Sequence, residues 1–239
     1  MNDPRPTLSW LRRHPAAQFL GALVLALVSS PFTEELKNGD LIEAFRLTVV
    51  LVAGLMAVGG RRRLLVLGIV LVTPALVGKW VNHWQPTLVP AWMFLVPAVL
   101  FMLLLFGQIL RFILRAPRVN SEVLCAAVAG YLLLGFLWAL AYMLTARLSA
   151  DAFTFSTGSG TDNLMKGFTA VYFSFITLCT VGYGDIVPVS GAARMLAMME
   201  SVIGTFYMAV LIARLVSLHA TRKPGVEREM SGKRPPNQQ

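Results

Sequence analysis

The stretch Thr177–Asp185 reads Thr-Leu-Cys-Thr-Val-Gly-Tyr-Gly-Asp and joins two long apolar segments of the chain. Glycine adopts positive φ without a Cβ clash, so Gly182 and Gly184 mark positions where the backbone is free to reverse its hand. In a soluble protein such a pair would indicate an ordinary tight turn. Turns of that kind do not lie between two membrane-length apolar segments, so the surroundings decide how the stretch is interpreted.

The composition of the chain is that of a membrane protein. Its 239 residues are 56% hydrophobic and 14% charged, and the mean hydropathy is +0.66. The formal net charge is +9, but the basic residues cluster at the ends of apolar segments, as topology signals and contacts with anionic lipid do. We therefore expect membrane lipid, and not nucleic acid, as a partner. The two cysteines, Cys125 and Cys179, lie in apolar segments and predict no disulfide framework.

Six apolar segments are predicted to cross the bilayer, since a crossing helix needs about 20 residues. They are Pro15–Thr33, Leu41–Gly60, Leu64–Val81, Leu88–Leu110, Val123–Ala146 and Ala192–Ala213. A turn is predicted at Asn82–Thr87, a linker with Arg111, Arg115 and Arg118 after the fourth span, and a solvated loop at Arg147–Lys166.

A further uncharged segment of 18 residues, Gly167–Gly184, requires a decision between a seventh crossing and a re-entrant loop. With a cytoplasmic N-terminus and six crossings, most of the 21 lysines and arginines fall on the cytoplasmic side. A seventh crossing would move the basic tail outside. We therefore predict a short helix over Lys166–Leu178, followed by extended backbone that returns to the outer face. Irregular backbone at that depth is tolerated only where protein surrounds it or where it lines a water-filled path.

The sequence Thr180-Val181-Gly182-Tyr183-Gly184 resembles the selectivity filter of the potassium-channel superfamily, and Asp185 extends the match. The resemblance implies that K⁺ binds to the backbone carbonyls of Thr180, Val181, Gly182 and Tyr183. It also implies that the Thr180 hydroxyl adds an oxygen, and that Val181 and Tyr183 turn their side chains outward into packing. One chain supplies one filter strand, so a homotetramer is implied.

The predicted fold is an all-α membrane protein with six transmembrane helices, a re-entrant pore helix and an extended filter, assembled as a tetramer. The predicted domains are a cytoplasmic N-terminal segment (1–15), a four-helix transmembrane domain (16–118), a pore domain (122–218) and a cytoplasmic basic tail (219–239). We expect both termini in the cytoplasm and the protein in the cell (plasma or inner) membrane.

The resemblance also implies supporting roles for side chains next to the filter. Tyr172 and Phe173 match paired aromatics that brace the filter from outside. The Tyr172 hydroxyl is placed to bond Asp185 or Tyr183, although plain core packing would explain it as well. Thr177 lies in the last turn of the pore helix, whose negative dipole end favours a cation below the filter.

Three residues of the last span are further candidates. Arg194 matches a basic residue at the outer start of the inner helix, where an interfacial anchor is an equal explanation. Gly204 lies where the family often has a hinge glycine, and a small residue that permits close helix approach explains it equally well. Glu200 is a carboxylate deep in the span, which is costly unless it is paired or faces water. Two interpretations stay open for Glu200: an acid behind the filter, which we favour because it shares a helix face with Gly204, or a ring of charge in the cavity.

The fourth span tests whether the channel is voltage-gated. A voltage-sensing helix carries an arginine at about every third residue, whereas Leu88–Leu110 has no lysine or arginine and contains Pro90 and Pro97. The predicted function is therefore a K⁺-selective channel that is not strongly voltage-gated. It conducts passively, with no catalysis and no cofactor besides the permeant ion. The alternatives are a weakly selective cation channel and a non-conducting membrane sensor or scaffold on the same fold.

Overall fold

The computed structural model describes residues 15–33, 39–57, 62–85, 90–117, 120–149, 151–156 and 165–220. The α-helices of this part of the chain are α1 (Pro15–Ser29), α2 (Gly39–Ala57), α3 (Arg62–Trp84), α4 (Trp92–Arg115), α5 (Ser121–Leu148), α6 (Gly167–Leu178) and α7 (Gly191–Ala220). A 3-10 turn occupies Pro31–Thr33, and two strands, β1 (Phe153–Phe155) and β2 (Ile186–Pro188), complete the elements. The predictions for residues 1–14 and 221–239 lie outside the described residues.

Four of the described helices are long and apolar enough to cross a membrane. These are Arg62–Asn82, Trp92–Arg115, Ser121–Leu148 and Gly191–Ser217. The helix at Ala16–Ser29 and α6 are apolar but shorter. The predicted first span, Pro15–Thr33, is not one helix: α1 ends at Ser29, because Pro31 cannot donate a helical hydrogen bond and restricts the residue before it.

The remaining helix ends differ from the prediction by a few residues. The predicted turn at Asn82–Thr87 begins too early, since α3 continues to Trp84. Likewise, Arg111 and Arg115 lie in the last turns of α4 and not in a linker. The start of α5 has a clear physical cause: the Asn120 side chain accepts a hydrogen bond from the Val123 backbone N–H at 3.0 Å, which satisfies one of the free donors of the first turn.

The first four helices pack in chain order and then close against α5. Helices α1 and α4 both contact α5 in the same chain. Their shared core is apolar, with Leu23 of α1, Leu51 of α2, Phe101 of α4 and Leu133 of α5 fully buried. Lipid tails are as apolar as these side chains, so van der Waals packing, and not removal of apolar surface from water, holds the helices together. The four-helix domain and α5 thus share one continuous packed core.

The expectation of an all-α fold is wrong at one place. Strand β1 pairs antiparallel with β2, with Phe153 opposite Pro188 and Phe155 opposite Ile186. The composition of Arg147–Lys166 indicated only a solvated loop. Within it, Phe153 is buried and makes edge-on aromatic contacts with Tyr142 of α5 and Phe173 of α6. This apolar anchor brings β1 to the segment that follows α6, and so fixes the outer end of the candidate site.

Candidate functional site

The loop after α6 folds back onto the end of that helix. The Thr180 N–H donates to the Thr177 carbonyl at 2.9 Å. The N–H groups of Val181 and Gly182 both donate to the Ile176 carbonyl, at 2.8 and 3.3 Å. Carbonyls of the last helical turn have no partner within a helix, and here the first loop residues supply the donors. The loop is thus fixed to α6 by its own backbone.

The sign of the backbone angle φ alternates along the loop. Thr180 and Gly182 each have φ of 57°, and Gly184 has φ of 80°. Val181 and Tyr183 lie outside the positive-φ region. The two glycines occupy positions that the sequence marked for them, but Thr180 was missed. A β-branched residue at positive φ is strained, and it is held there among the hydrogen bonds to the end of α6.

The side chains of Val181 and Tyr183 point away from the rest of the chain, with exposed fractions of 51% and 71%. The prediction placed these side chains in packing contacts. Within one chain these side chains are therefore only partly covered, and fuller packing would have to come from a second molecule.

Asp185 joins the loop to both flanking elements. The Tyr172 hydroxyl of α6 donates to Asp185 Oδ2 at 2.7 Å, and the Ile186 N–H donates to Oδ1 at 3.0 Å. On the other side, the Ser156 N–H and hydroxyl both donate to the Asp185 carbonyl, at 2.8 and 3.0 Å. Of the two predicted partners for Tyr172, the bond is made to Asp185 and not to Tyr183.

Phe173 and Thr177 lie one turn apart on α6 and make different contacts. Phe173 is buried, and its ring centroid lies 4.8 Å from that of Tyr142 on α5. It therefore fixes α6 to α5 and does not brace the loop directly. The Thr177 carbonyl accepts hydrogen bonds from the Thr180 N–H at 2.9 Å and from the Ser201 hydroxyl of α7 at 3.3 Å. Thr177 thus links the loop, α6 and α7.

Arg194 and Gly204 occupy two different levels of α7. Arg194 Nε donates to the Pro188 carbonyl at 3.2 Å, which ties the start of α7 to the end of β2. Gly204 packs directly on the last residue of α6: a Cβ built there would lie 2.7 Å from Leu178 Cδ1 and 2.9 Å from the Leu178 carbonyl oxygen. This contact accounts for a small residue at position 204 by close helix approach.

Glu200 is fully buried between α5, α6 and α7. The Tyr142 hydroxyl of α5 donates to Glu200 Oε2, and the Ser174 Oγ of α6 lies 2.5 Å from Glu200 Oε1. These contacts fit the interpretation of an acid behind the loop. Both partners are side-chain hydroxyls. Tyr142 and Ser174 were missed by sequence reasoning, although a hydroxyl inside an apolar segment is itself a signal of a buried polar contact.

In the described part of the chain, no cluster of three or more His, Cys, Asp or Glu residues is placed to hold a metal ion.

Part of the chain is similar to known proteins. Residues 121–220 match the ion channel family. Protein LctB of Bacillus caldotenax is 36% identical over 102 residues, which are 41% of this chain and 74% of that protein. Protein LctB of Geobacillus stearothermophilus is 38% identical over 88 residues, which are 36% of this chain and 63% of that protein.

Two potassium channels also match over a shorter stretch. The calcium-gated potassium channel TvoK of Thermoplasma volcanium is 46% identical over 48 residues, 20% of this chain and 14% of that channel. Two pore potassium channel c of Oryza sativa subsp. japonica is 42% identical over 48 residues, 20% of this chain and 10% of that channel. The chain therefore covers less than two thirds of the length of most of these relatives. No solved structure gives a significant match.

The contact between Gly204 and Leu178 generates a stability prediction. Glycine to alanine in a helix interior is ordinarily stabilising by about 1 kcal/mol. Gly204→Ala instead places a Cβ 2.9 Å from a backbone oxygen, and such overpacking costs about 1–3 kcal/mol. We expect a lower midpoint of thermal unfolding for this variant in detergent. The matched control is Gly107→Ala in α4, where a Cβ meets nothing within 4 Å. A Gly204→Ala variant as stable as the control would contradict the contact.

Proposed function

The chain belongs to the ion channel family, and from this premise we propose that it is a potassium-selective channel that conducts K⁺ passively across the membrane. The observation that carries the proposal is the alternation of positive and negative φ from Thr180 to Gly184. Alternating backbone hand lets successive carbonyls face the same side, which is what a dehydrated cation needs from a single strand. The carbonyls of Thr180, Val181, Gly182 and Tyr183, with the Thr180 hydroxyl, are the proposed K⁺ ligands.

The proposed channel is a homotetramer, because a ring of carbonyls needs several copies of one loop. The exposed apolar side chains are consistent with such an assembly. Val181 and Tyr183 of the loop are exposed, as are Met195, Met198 and Phe206 along α7. Neighbouring copies around a central axis would cover these side chains and hold the loop in its strained conformation.

The proposed topology has six crossings, with α6 as a re-entrant pore helix. Helix α6 has 12 residues, which rise about 18 Å at ~1.5 Å per residue and cannot cross a hydrocarbon core of about 30 Å. Helices α2, α3, α4, α5 and α7 would cross. Helix α1 alone is short for a crossing and would cross together with the 3-10 turn at Pro31–Thr33 that follows it. The basic residues would then favour both termini in the cytoplasm. The proposed location is the cell membrane. Its lipid would cover exposed side chains such as Val66, Ile69 and Val70 of α3.

The first four helices are proposed to act without a strong voltage sensor. Trp92–Leu110 of α4 carries no lysine or arginine. Within this domain, Glu43 of α2 and Lys79 of α3 form an ion pair, in which Oε1 and Nζ lie 3.1 Å apart. A closed ion pair of this kind moves little net charge through the membrane field, which acts on each free charge with about 2.3 kcal/mol per 100 mV.

The central test is ion flux in liposomes. Purified protein should carry K⁺ down an imposed gradient and carry Na⁺ far more slowly. Gly182→Ala puts a Cβ at φ of 57°, which costs roughly 1 kcal/mol or more per subunit and misdirects a ring of carbonyls. We expect this variant to lose flux or K⁺ preference. Gly107→Ala, a position with open space around it, is the control and should conduct normally. Equal K⁺ and Na⁺ flux in the unmodified protein would favour a weakly selective cation channel, and no flux would favour a non-conducting sensor or scaffold.

Removal of the Tyr172 hydroxyl should weaken the outer end of the filter. Tyr172→Phe deletes the bond to the Asp185 carboxylate, and hydrogen bonds to charged groups contribute about 1.5–3 kcal/mol. We expect reduced K⁺ over Na⁺ preference in the liposome assay. Tyr207→Phe makes the same chemical change where the hydroxyl donates to the Ala127 carbonyl, away from the loop, and should retain selectivity. Selectivity lost equally in both variants would argue against a specific role for the Tyr172–Asp185 bond.

Voltage dependence is expected to be shallow. In planar bilayers the open probability should change little between strongly negative and strongly positive potentials, because α4 carries no charge in its membrane-length part. Neutralising Arg111 and Arg115 at the end of α4 together with Arg118 should leave the curve unchanged. A steep curve that this triple variant flattens would show that the arginines sense voltage.

A further inference from the structure

Glu200 is a buried carboxyl group that ion conduction through the loop does not itself require. Its exposed fraction is zero. In the part of the chain that the structure describes, no lysine, arginine or histidine forms an ion pair with it. The ionisable side chain that contacts it in the described residues is the Tyr142 phenol of α5, which donates to Oε2. A charged carboxylate in such surroundings lacks a compensating cation.

The contacts of the Ser174 hydroxyl show how many protons the hydrogen bonds between Gly135, Ser174 and Glu200 require. Its Oγ lies 2.7 Å from the Gly135 carbonyl oxygen of α5 and 2.5 Å from Glu200 Oε1 of α7. The carbonyl accepts only, and a serine hydroxyl carries one proton. If that proton lay toward Glu200, the Ser174 and Gly135 oxygens would face each other at hydrogen-bond distance with no proton between them. Ser174 therefore donates its proton to the Gly135 carbonyl. The hydrogen bond between Ser174 and Glu200 then needs a proton on the Glu200 carboxyl group.

We infer that Glu200 is a neutral carboxylic acid whose O–H donates to Ser174, while Ser174 donates to the Gly135 carbonyl and Tyr142 donates to the other carboxyl oxygen. Every proton then lies between two oxygens. The chain of bonds joins α7 to α6 and α6 to α5. Glu200 is thus a positioning residue: it touches no permeant ion and acts through Ser174 on the helix that carries the loop.

The position of this chain of bonds along α6 explains why it matters to the loop. Ser174 lies one helical turn before Leu178, against which Gly204 packs. Between them, Ser201 Oγ lies 3.3 Å from the Thr177 carbonyl oxygen and 3.1 Å from the Ala197 carbonyl oxygen of its own helix, so its single proton is shared between the two. Helix α7 therefore contacts the last turn of α6 at three successive levels. The carbonyls of that same turn accept the first N–H groups of the loop. This role for Glu200 rests on the proposed function, since it concerns the positioning of a K⁺ filter.

Infrared difference spectroscopy tests the protonation state directly. The spectrum of the unmodified protein should contain one C=O stretching band of a protonated carboxyl group that is missing from the spectrum of Glu200→Gln. Ser174→Ala should shift that band, because the acceptor of the Glu200 proton is removed. Glu122→Gln, the same change at the first turn of α5, should leave the band in place. Absence of any protonated-carboxyl band that disappears in Glu200→Gln would overturn the inference.

Ion flux and stability give the second measurement. A glutamine amide donates to Ser174 and accepts from Tyr142 as the neutral acid does, so Glu200→Gln should retain the K⁺ over Na⁺ preference and thermal stability. Glu200→Ala should lose both. If Glu200 were instead a charged carboxylate, the hydroxyls of Tyr142 and Ser174 would both donate to it. In Glu200→Gln, the NH₂ group would then face one of these donating hydroxyls, and that hydrogen bond would be lost. Glu200→Gln as defective as Glu200→Ala would therefore also overturn the inference. If the unmodified protein conducts no K⁺, the proposed function fails, whereas the infrared band still decides the state of Glu200.

Discussion

Backbone polar groups inside a membrane must be satisfied by protein or by water, and this constraint shapes the loop after α6 and the elements around it. At the start of the loop, Thr180, Val181 and Gly182 donate to carbonyls of the last turn of α6. At its end, Asp185 is held by Tyr172 and Ser156. The proposed ion-binding carbonyls lie between these two anchors, so the hydrogen bonds at each end fix the backbone that the proposal depends on.

Helix α7 contacts α6 close to the helix end from which the loop starts. Its contacts with α6 include a hydrogen-bonded carboxyl at Glu200 and a van der Waals contact at Gly204. A buried polar network loses stability when any of its members lacks a hydrogen-bond partner. A contact as close as that at Gly204 leaves no room for a larger side chain. Both properties favour one defined packing of α7 on α6, so the position of α6 follows that of α7.

The sequence was sufficient to predict the helices and the special backbone of the loop, because apolar length and glycine have direct physical meaning. Gly182 and Gly184 have positive φ as expected. The sequence was insufficient to predict features that depend on contacts between residues distant in the chain. Thr180 does not prefer positive φ, and only its surroundings impose it. Strand β1 exists because Phe153 packs on Tyr142 and Phe173. The hydroxyl partners of Glu200 come from two other helices, so no local pattern identified them.

The four-helix domain is joined to α7 near the C-terminal end of that helix, where Arg214 Nη2 donates to the Leu114 and Ala116 carbonyls at 3.0 and 3.1 Å. Those carbonyls lie at the C-terminal end of α4, where a cation is favoured by the helix dipole and by unpaired acceptors. The start of α7 is held differently, since Arg194 donates to the Pro188 carbonyl of β2 and makes no contact with the four-helix domain through this bond. Because α4 also packs along α5, a displacement of the C-terminal end of α7 would have to carry α4 with it or break the two Arg214 bonds. The coupling between α4 and α7 thus lies at the end of α4 and involves no charge in the middle of that helix.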